Sequence, residues 1–165
     1  MPSRHESQVT LVTDSEARTR LLAATFSSLL EPADVVGLRG DLGTGKTVFV
    51  SAIATALEVP KEAGVRSPSY TLMNIYEGGT YPIAHLDLYR VDDVDELEAL
   101  GFRDLLDEGM LVLVEWPERV PDLERDVTWW VDLRELDVET REITFRSRKS
   151  RHLEPLSECL SQSSR

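Results

Sequence analysis

The residues best equipped for chemistry lie in one run, Gly40-Asp41-Leu42-Gly43-Thr44-Gly45-Lys46-Thr47, which matches the phosphate-loop pattern G-x-x-x-x-G-K-[ST] in full. Gly40, Gly43 and Gly45 permit backbone angles and close approaches that a Cβ would obstruct, so successive N–H groups can point at phosphate oxygens. Asp41, Leu42 and Thr44 fill the variable positions of this cradle, with Thr44 expected to face its outside. Lys46 brings a mobile positive charge to the β- and γ-phosphates, and the Thr47 hydroxyl is a ligand for Mg²⁺. The pattern arises by chance on the order of once in a few hundred chains of this length. Here an apolar strand pattern (34–39) runs straight into it and a helical pattern (46–57) leaves it, which adds a positive helix N-terminus to the site.

Such a loop needs an acid to help hold Mg²⁺, at the end of a strand beside it. Two carboxylates fit. Glu115 ends the apolar run MLVLV and is the preferred metal ligand; Asp87 ends IAHL and reads as a water-orienting or outer-shell partner. The only asparagine, Asn74, is followed by Ile75, so the Asn-Lys-x-Asp loop that reads guanine is missing and ATP is favoured. Gln8 and Gln162 lie near the termini, too far along the chain to place an attacking water. Hydrolysis is therefore expected to be weak alone and completed by a partner.

Other residues admit two readings. Arg66 to Thr71 (RSPSYT) is either a proline turn before a strand or a segment that senses the γ-phosphate through Ser67 and Ser69. His85 reads as a packed histidine, Trp116 as a neighbour of the nucleotide, and Trp129 and Trp130 as strand packing. The acids of Asp92 to Glu98 suit a solvated helix face better than a docking surface, and Cys159 carries no pattern.

The elements that must position these groups are legible in outline. A strand over 8–13 precedes a helix capped by Asp14 or Ser15 and running to about Leu30. YTLMNIYEGGTYPIAHLDLY reads as two strands turned on Gly78-Gly79, followed by an acidic helix over 92–100 closed by Gly101. MLVLVEW is a strand buried on both faces, and DVTWWVDL and TREITFRS are two alternating strands. The expected fold is α/β, a single P-loop NTPase domain over 1–146, with a mixed, mostly parallel sheet flanked by helices and antiparallel edge strands. The basic, serine-rich stretch over 147–165 reads as a weakly ordered tail with a short helix around Leu153 to Leu160.

Composition narrows the class. At 165 residues and 41% hydrophobic, the chain is the size of one ordinary domain. Eighteen Lys and Arg against thirty Asp and Glu give a net charge of −12, a balance that repels nucleic acid and leaves any RNA to a partner. One cysteine excludes an intramolecular disulfide and fits a reducing compartment. The N-terminus lacks an apolar signal-peptide core and no stretch approaches the roughly 20 residues of a membrane span, so a soluble, cytoplasmic protein is expected.

GDLGTGKT, SPSYTL, HLDLYR, ELEALGFRD and LVEWPE occur in that order, and this set resembles the TsaE family over 11–143. The resemblance implies a P-loop ATPase, using ATP and Mg²⁺, in the threonylcarbamoyladenosine modification of tRNAs that read codons beginning with A. It implies partners of the TsaD transferase type and its TsaB-type paralogue, whose complex ATP hydrolysis resets between turnovers. Position by position, it puts Lys46 on phosphate, Thr47 and Glu115 on the metal, Asp87 in turnover and Ser69 in the switch-like segment, where the family commonly has Ser-Pro-Thr. Two other readings remain open: a small-molecule kinase, for which Arg125, Arg134, Arg141 and Arg146 are too scattered to form a lid, and a nucleotide-dependent binding module with vestigial hydrolysis.

Overall fold

The computed structural model describes residues 7–149 and 152–162. Strands β1 (Ser7–Thr13), β2 (Val35–Arg39), β3 (Met73–Tyr76), β4 (Ile83–Asp87), β5 (Leu111–Glu115), β6 (Trp129–Glu135) and β7 (Arg141–Ser147) form one seven-stranded sheet in the order β1-β7-β6-β2-β5-β4-β3. Its centre is parallel: β2 pairs with β5 and β6, and β4 with β5. Antiparallel pairs finish both sides, β3 on β4 and the β6-β7-β1 meander. The helices are α1 (Glu16–Ser27), α2 (Lys46–Ala56), α3 (Val94–Ala99), α4 (Phe102–Asp107) and α5 (Glu154–Gln162).

Side-chain alternation along the central strands divides the core in two. Val36 and Leu38 of β2, Leu111 and Leu113 of β5 and Val131 of β6 face a cluster with Phe26 of α1, Phe49 and Ile53 of α2, and Leu156 and Leu160 of α5. Val35, Val112 and Val114 face the other way, with Leu97 of α3 and Phe102 and Leu105 of α4. The helices thus cover both faces of the parallel strands, which is why β2 and β5 read as continuous apolar runs. Phe26 sits at the centre of the larger cluster, edge-on to Trp129 at 5.0 Å and tilted on Phe145 at 4.9 Å. Each such fully buried ring contributes roughly 2–3 kcal/mol by its burial.

Local signals explain most ends. Ser15 caps α1, its Oγ accepting from the Arg18 N–H, and Asp93 caps α3 in the same way through Glu96. Helix α1 stops at Ser27, short of the expected Leu30, because Ser27 and Ser28 turn their hydroxyls back on the Ala24 and Thr25 carbonyls. The acidic helix expected over 92–100 is α3, and it is followed by an unforeseen second short helix, α4, that begins after the left-handed Gly101. The helix expected around Leu153 to Leu160 is α5, held on α1 by Leu156, Leu160 and a bond from Arg18 Nη2 to the Leu160 carbonyl. Gly37 is the one strand glycine that packing demands, since a Cβ there would lie 2.9 Å from the Trp130 ring. No helix among the described residues is long and apolar enough to cross a membrane.

Candidate functional site

The loop over 40–47 links the C-terminal end of β2 to the first turn of α2. Gly43 and Gly45 adopt φ of +82° and +102° with open space where a Cβ would stand, so the concave side of the loop is lined by backbone. No side chain caps α2, which leaves its first N–H groups for an anion. Crevices of this kind lie outside the carboxyl ends of parallel strands, and here α1 and α2 cover one face of the sheet while α3 and α4 cover the other.

Lys46 is 5% exposed. Its Nζ donates to the carbonyls of Gly40 at 2.5 Å and Asp41 at 3.0 Å and sits 4.1 Å from the centre of the Trp116 ring. Burial pulls its pKa below the usual lysine range, against the opposing pull of Glu115, Glu118, Asp87 and Asp41. Trp116 holds this place from a left-handed backbone (φ +59°) between Glu115 and Pro117, with Tyr89 5.0 Å from its ring.

The two acids foreseen at strand ends are register partners, Asp87 on β4 opposite Glu115 on β5. Glu115 Oε1 accepts from Thr47 Oγ1 at 3.0 Å and lies 2.9 Å from His85 Nε2; among the described residues Oε2 carries no hydrogen bond. His85 is fully buried, and its Nδ1 lies 3.2 Å from the Tyr76 hydroxyl. Protonated on Nε2, the ring donates to Glu115, while the Tyr76 hydroxyl lies within reach of both His85 Nδ1 and the Arg66 carbonyl at 3.3 Å and accepts from the Asn74 amide at 3.4 Å. Asp87 is held from three sides, with Oδ2 accepting from Ser67 at 2.8 Å and Ser69 at 3.4 Å and Oδ1 from the Tyr89 N–H at 3.0 Å.

These groups open on a cleft of about 560 Å³. It gathers Leu42, Gly43, Gly45, Lys46, Thr47, Ser69, Asp87 and Glu115 of the residues expected from sequence. Asp41 and Thr44 do not line it. Asp41 contributes only its carbonyl, to Lys46 and Thr44. Thr44, expected on the outside of the loop, is 4% exposed: its hydroxyl turns under the loop to the Asp41 carbonyl at 2.9 Å, and its own carbonyl accepts from Arg141 Nε at 3.0 Å. The cleft also includes Ser67 and Trp116, and Tyr70, Tyr89 and Arg90, which lie in the SPSYTL and HLDLYR motifs but to which the sequence assigns no role. A second cleft, of about 400 Å³, lies on the far side of the same loop, between Glu16 and Thr19 of α1 and Val138, Glu139 and Arg141 at the β6–β7 turn.

The donor set suits a small hard cation. Thr47 and Glu115 offer two oxygens beside the loop, and no group of three or more His, Cys, Asp or Glu forms a cage among the described residues. Mg²⁺ is commonly held in this way, by one or two protein oxygens together with phosphates and water.

Comparison with known proteins gives a consistent result. Residues 13–143 match the family model described as threonylcarbamoyl adenosine biosynthesis protein TsaE. The chain is similar to the tRNA threonylcarbamoyladenosine biosynthesis protein TsaE of Aquifex aeolicus, 46% identical over 109 residues that cover 66% of this chain and 77% of the relative. The Bacillus subtilis protein of the same name is 32% identical over 134 residues, covering 81% and 82%. The crystal structure of Bacillus subtilis YdiB superposes with a TM-score of 0.71 at 25% identity, covering 98% of this chain and all of that one.

Proposed function

This chain belongs to the TsaE family, and on that premise we propose that it is a Mg²⁺-dependent ATPase that serves the threonylcarbamoyl-transferase complex in tRNA N6-threonylcarbamoyladenosine modification. The observation that carries this reading is the junction of Lys46, Thr47, Glu115 and Asp87 in one cleft at the head of α2. Lys46 leaves its carbonyl partners for the β- and γ-phosphates, and the bared N–H groups of the loop and of α2 take the remaining oxygens. Thr47 and Glu115 hold Mg²⁺, which when bound neutralises charge on the β- and γ-phosphates. Asp87 orients the attacking water and accepts its proton: the water oxygen bonds to the γ-phosphorus, and the bond to the β–γ bridging oxygen breaks with its electron pair left on ADP.

The base is assigned to the second cleft, on the side of the loop away from Asp87 and Glu115. Adenine is favoured because the Asn-Lys-x-Asp loop that reads guanine is missing from the sequence. Partners of the TsaD and TsaB types complete the slow site and hold the tRNA, which a chain of net charge −12 is poorly suited to grip. The work is cytoplasmic.

Steady-state hydrolysis of ATP and GTP by the purified chain tests the reading, run alone, with the two transferase subunits, and with Lys46→Ala as control. Feeble ATP turnover that rises in the complex and vanishes in the control supports it. Fast turnover alone, or turnover indifferent to the subunits, sinks the assigned biology. Phosphate transfer to a metabolite would favour a kinase instead.

A further inference from the structure

The main cleft holds two cations, Lys46 and Arg90, and they are kept very differently. Lys46 is buried and tied to two carbonyls. Arg90 is exposed at the mouth and, among the described residues, makes no ion pair and no side-chain hydrogen bond. Its guanidinium lies 4.6 Å from the centre of the Tyr70 ring, and Tyr70 is itself 83% exposed. Arg119 pairs with Asp92 and Arg103 with Asp126, whereas Arg90, at the rim of a phosphate cleft, is left without a carboxylate partner among the described residues, as is Arg66 at the start of the segment that carries Tyr70.

The charge balance of the cleft calls for this cation. Among the described residues Lys46 is the only other positive side chain lining the cleft with Asp87 and Glu115, and the transferring phosphoryl group spreads further negative charge over its equatorial oxygens. We propose that Arg90 supplies the missing positive charge to the γ-phosphate in the transition state, and that in the free chain it is latched on Tyr70. Both halves of the latch can move relative to the site. Arg90 follows directly after Tyr89, whose N–H is bonded to Asp87, so its backbone is anchored beside the reacting group while its long side chain is free to swing. Tyr70 lies in an irregular segment that rejoins β3 through Leu72, a non-glycine residue at φ +66°, the kind of strained backbone found where a segment has two arrangements. An exposed cation–π contact is weak enough to be broken by a phosphate and strong enough to reduce the population of the free guanidinium.

The inference rests on the ATPase reading and adds to it an arginine carried by the chain itself. The test measures Mg²⁺-ATP turnover and, separately, affinity for ADP with aluminium fluoride as a transition-state mimic and for ADP alone, with folding checked by thermal melting. Arg90→Ala should lower kcat about a hundredfold and weaken the fluoroaluminate complex in parallel, with KM and ADP affinity within a few-fold of wild type. Arg90→Lys should recover only part of the loss, because it restores a charge without the fork. Tyr70→Ala should raise kcat of the isolated chain about threefold, and the double variant should match Arg90→Ala. Wild-type kcat and fluoroaluminate affinity in Arg90→Ala would overturn the assignment of Arg90. Unchanged or lower kcat in Tyr70→Ala would overturn the latch. A wild-type chain that binds ATP but hydrolyses none, alone or with the transferase subunits, would overturn the ATPase reading and this inference with it.

Discussion

Thr47 Oγ1 and Glu115 Oε1 stand 3.0 Å apart, so one hydrogen bond joins the first turn of α2 to the end of β5. Both oxygens belong to the proposed metal pair. Glu115→Gln keeps the shape and removes the charge, and should raise the Mg²⁺ concentration for half-maximal turnover by about tenfold or more, with ADP binding in the absence of metal little changed. A Mg²⁺ titration of turnover checks this; an unshifted midpoint would move the metal ligand elsewhere.

Asp87 separates hydrolysis from binding. Asp87→Asn keeps one acceptor oxygen for the Tyr89 N–H and turns its amide toward the Ser67 hydroxyl, but has little basicity toward water. Turnover should fall about a hundredfold or more while ATP affinity stays within a few-fold. If the variant still supports tRNA modification in the full complex, hydrolysis is vestigial and the chain acts by nucleotide-dependent binding.

His85 holds Glu115 from behind. His85→Phe would leave Glu115 without its imidazole and the buried Tyr76 hydroxyl with only the Arg66 carbonyl at 3.3 Å as acceptor, at a cost of about 1–3 kcal/mol. His85→Gln, which can serve both neighbours, should lose less than half of that. Urea unfolding of the two variants gives the comparison, and equal losses would mean that packing rather than hydrogen bonding sets the residue.

Arg141 ties the β6–β7 turn to the phosphate loop, bonding the Thr44 carbonyl and those of Asp137, Val138 and Thr140. Arg141→Ala should weaken ATP binding about tenfold, with kcat within a few-fold, because it loosens the wall of the base-side cleft rather than the acids. Calorimetric titration of ATP and of tripolyphosphate distinguishes the cause: equal losses for both ligands would exclude a role in seating the base.

Lys46 titrates below its usual 10.5 in the free chain because burial disfavours its charge, whereas bound phosphates favour that charge. Between the lowered free-state pKa and the raised bound-state one, ATP binding must take up protons. Affinity therefore declines as pH rises through the free-state value. Titrations at about pH 9 in buffers of different ionisation enthalpy should show net proton uptake that is lost in Lys46→Ala; proton release would contradict the sign.

The parts of the site that sequence makes legible are those whose chemistry is local. The phosphate loop is one contiguous run, and Asp87 and Glu115 each end an apolar run, which marks a strand meeting a crevice. Their side-by-side placement is a matter of strand pairing, which no local pattern reports. Thr44 reads as solvent-facing in a glycine-rich loop, and only the folded loop brings its hydroxyl to the Asp41 carbonyl. Arg141 reads as one of several scattered arginines, and only the β6–β7 hairpin carries it back to the loop. Helix α4 leaves no sequence signal, since six residues, FRDLLD, are too few for a period to show.

The in-register pairing of β4 and β5 also says where this chain can change length. The distance between Asp87 and Glu115 is set by the spacing of adjacent strands, about 4.8 Å between backbones, and not by the stretch of chain between them. Residues inserted or deleted over 92–109, where α3 and α4 lie against one face of the sheet, change the detour but leave both acids on the same rung. A single residue added inside β4 would instead turn Asp87 to the opposite face and break the site while the rest of the chain still folds. The two short strands should therefore keep their count, whatever the length of the chain that joins them.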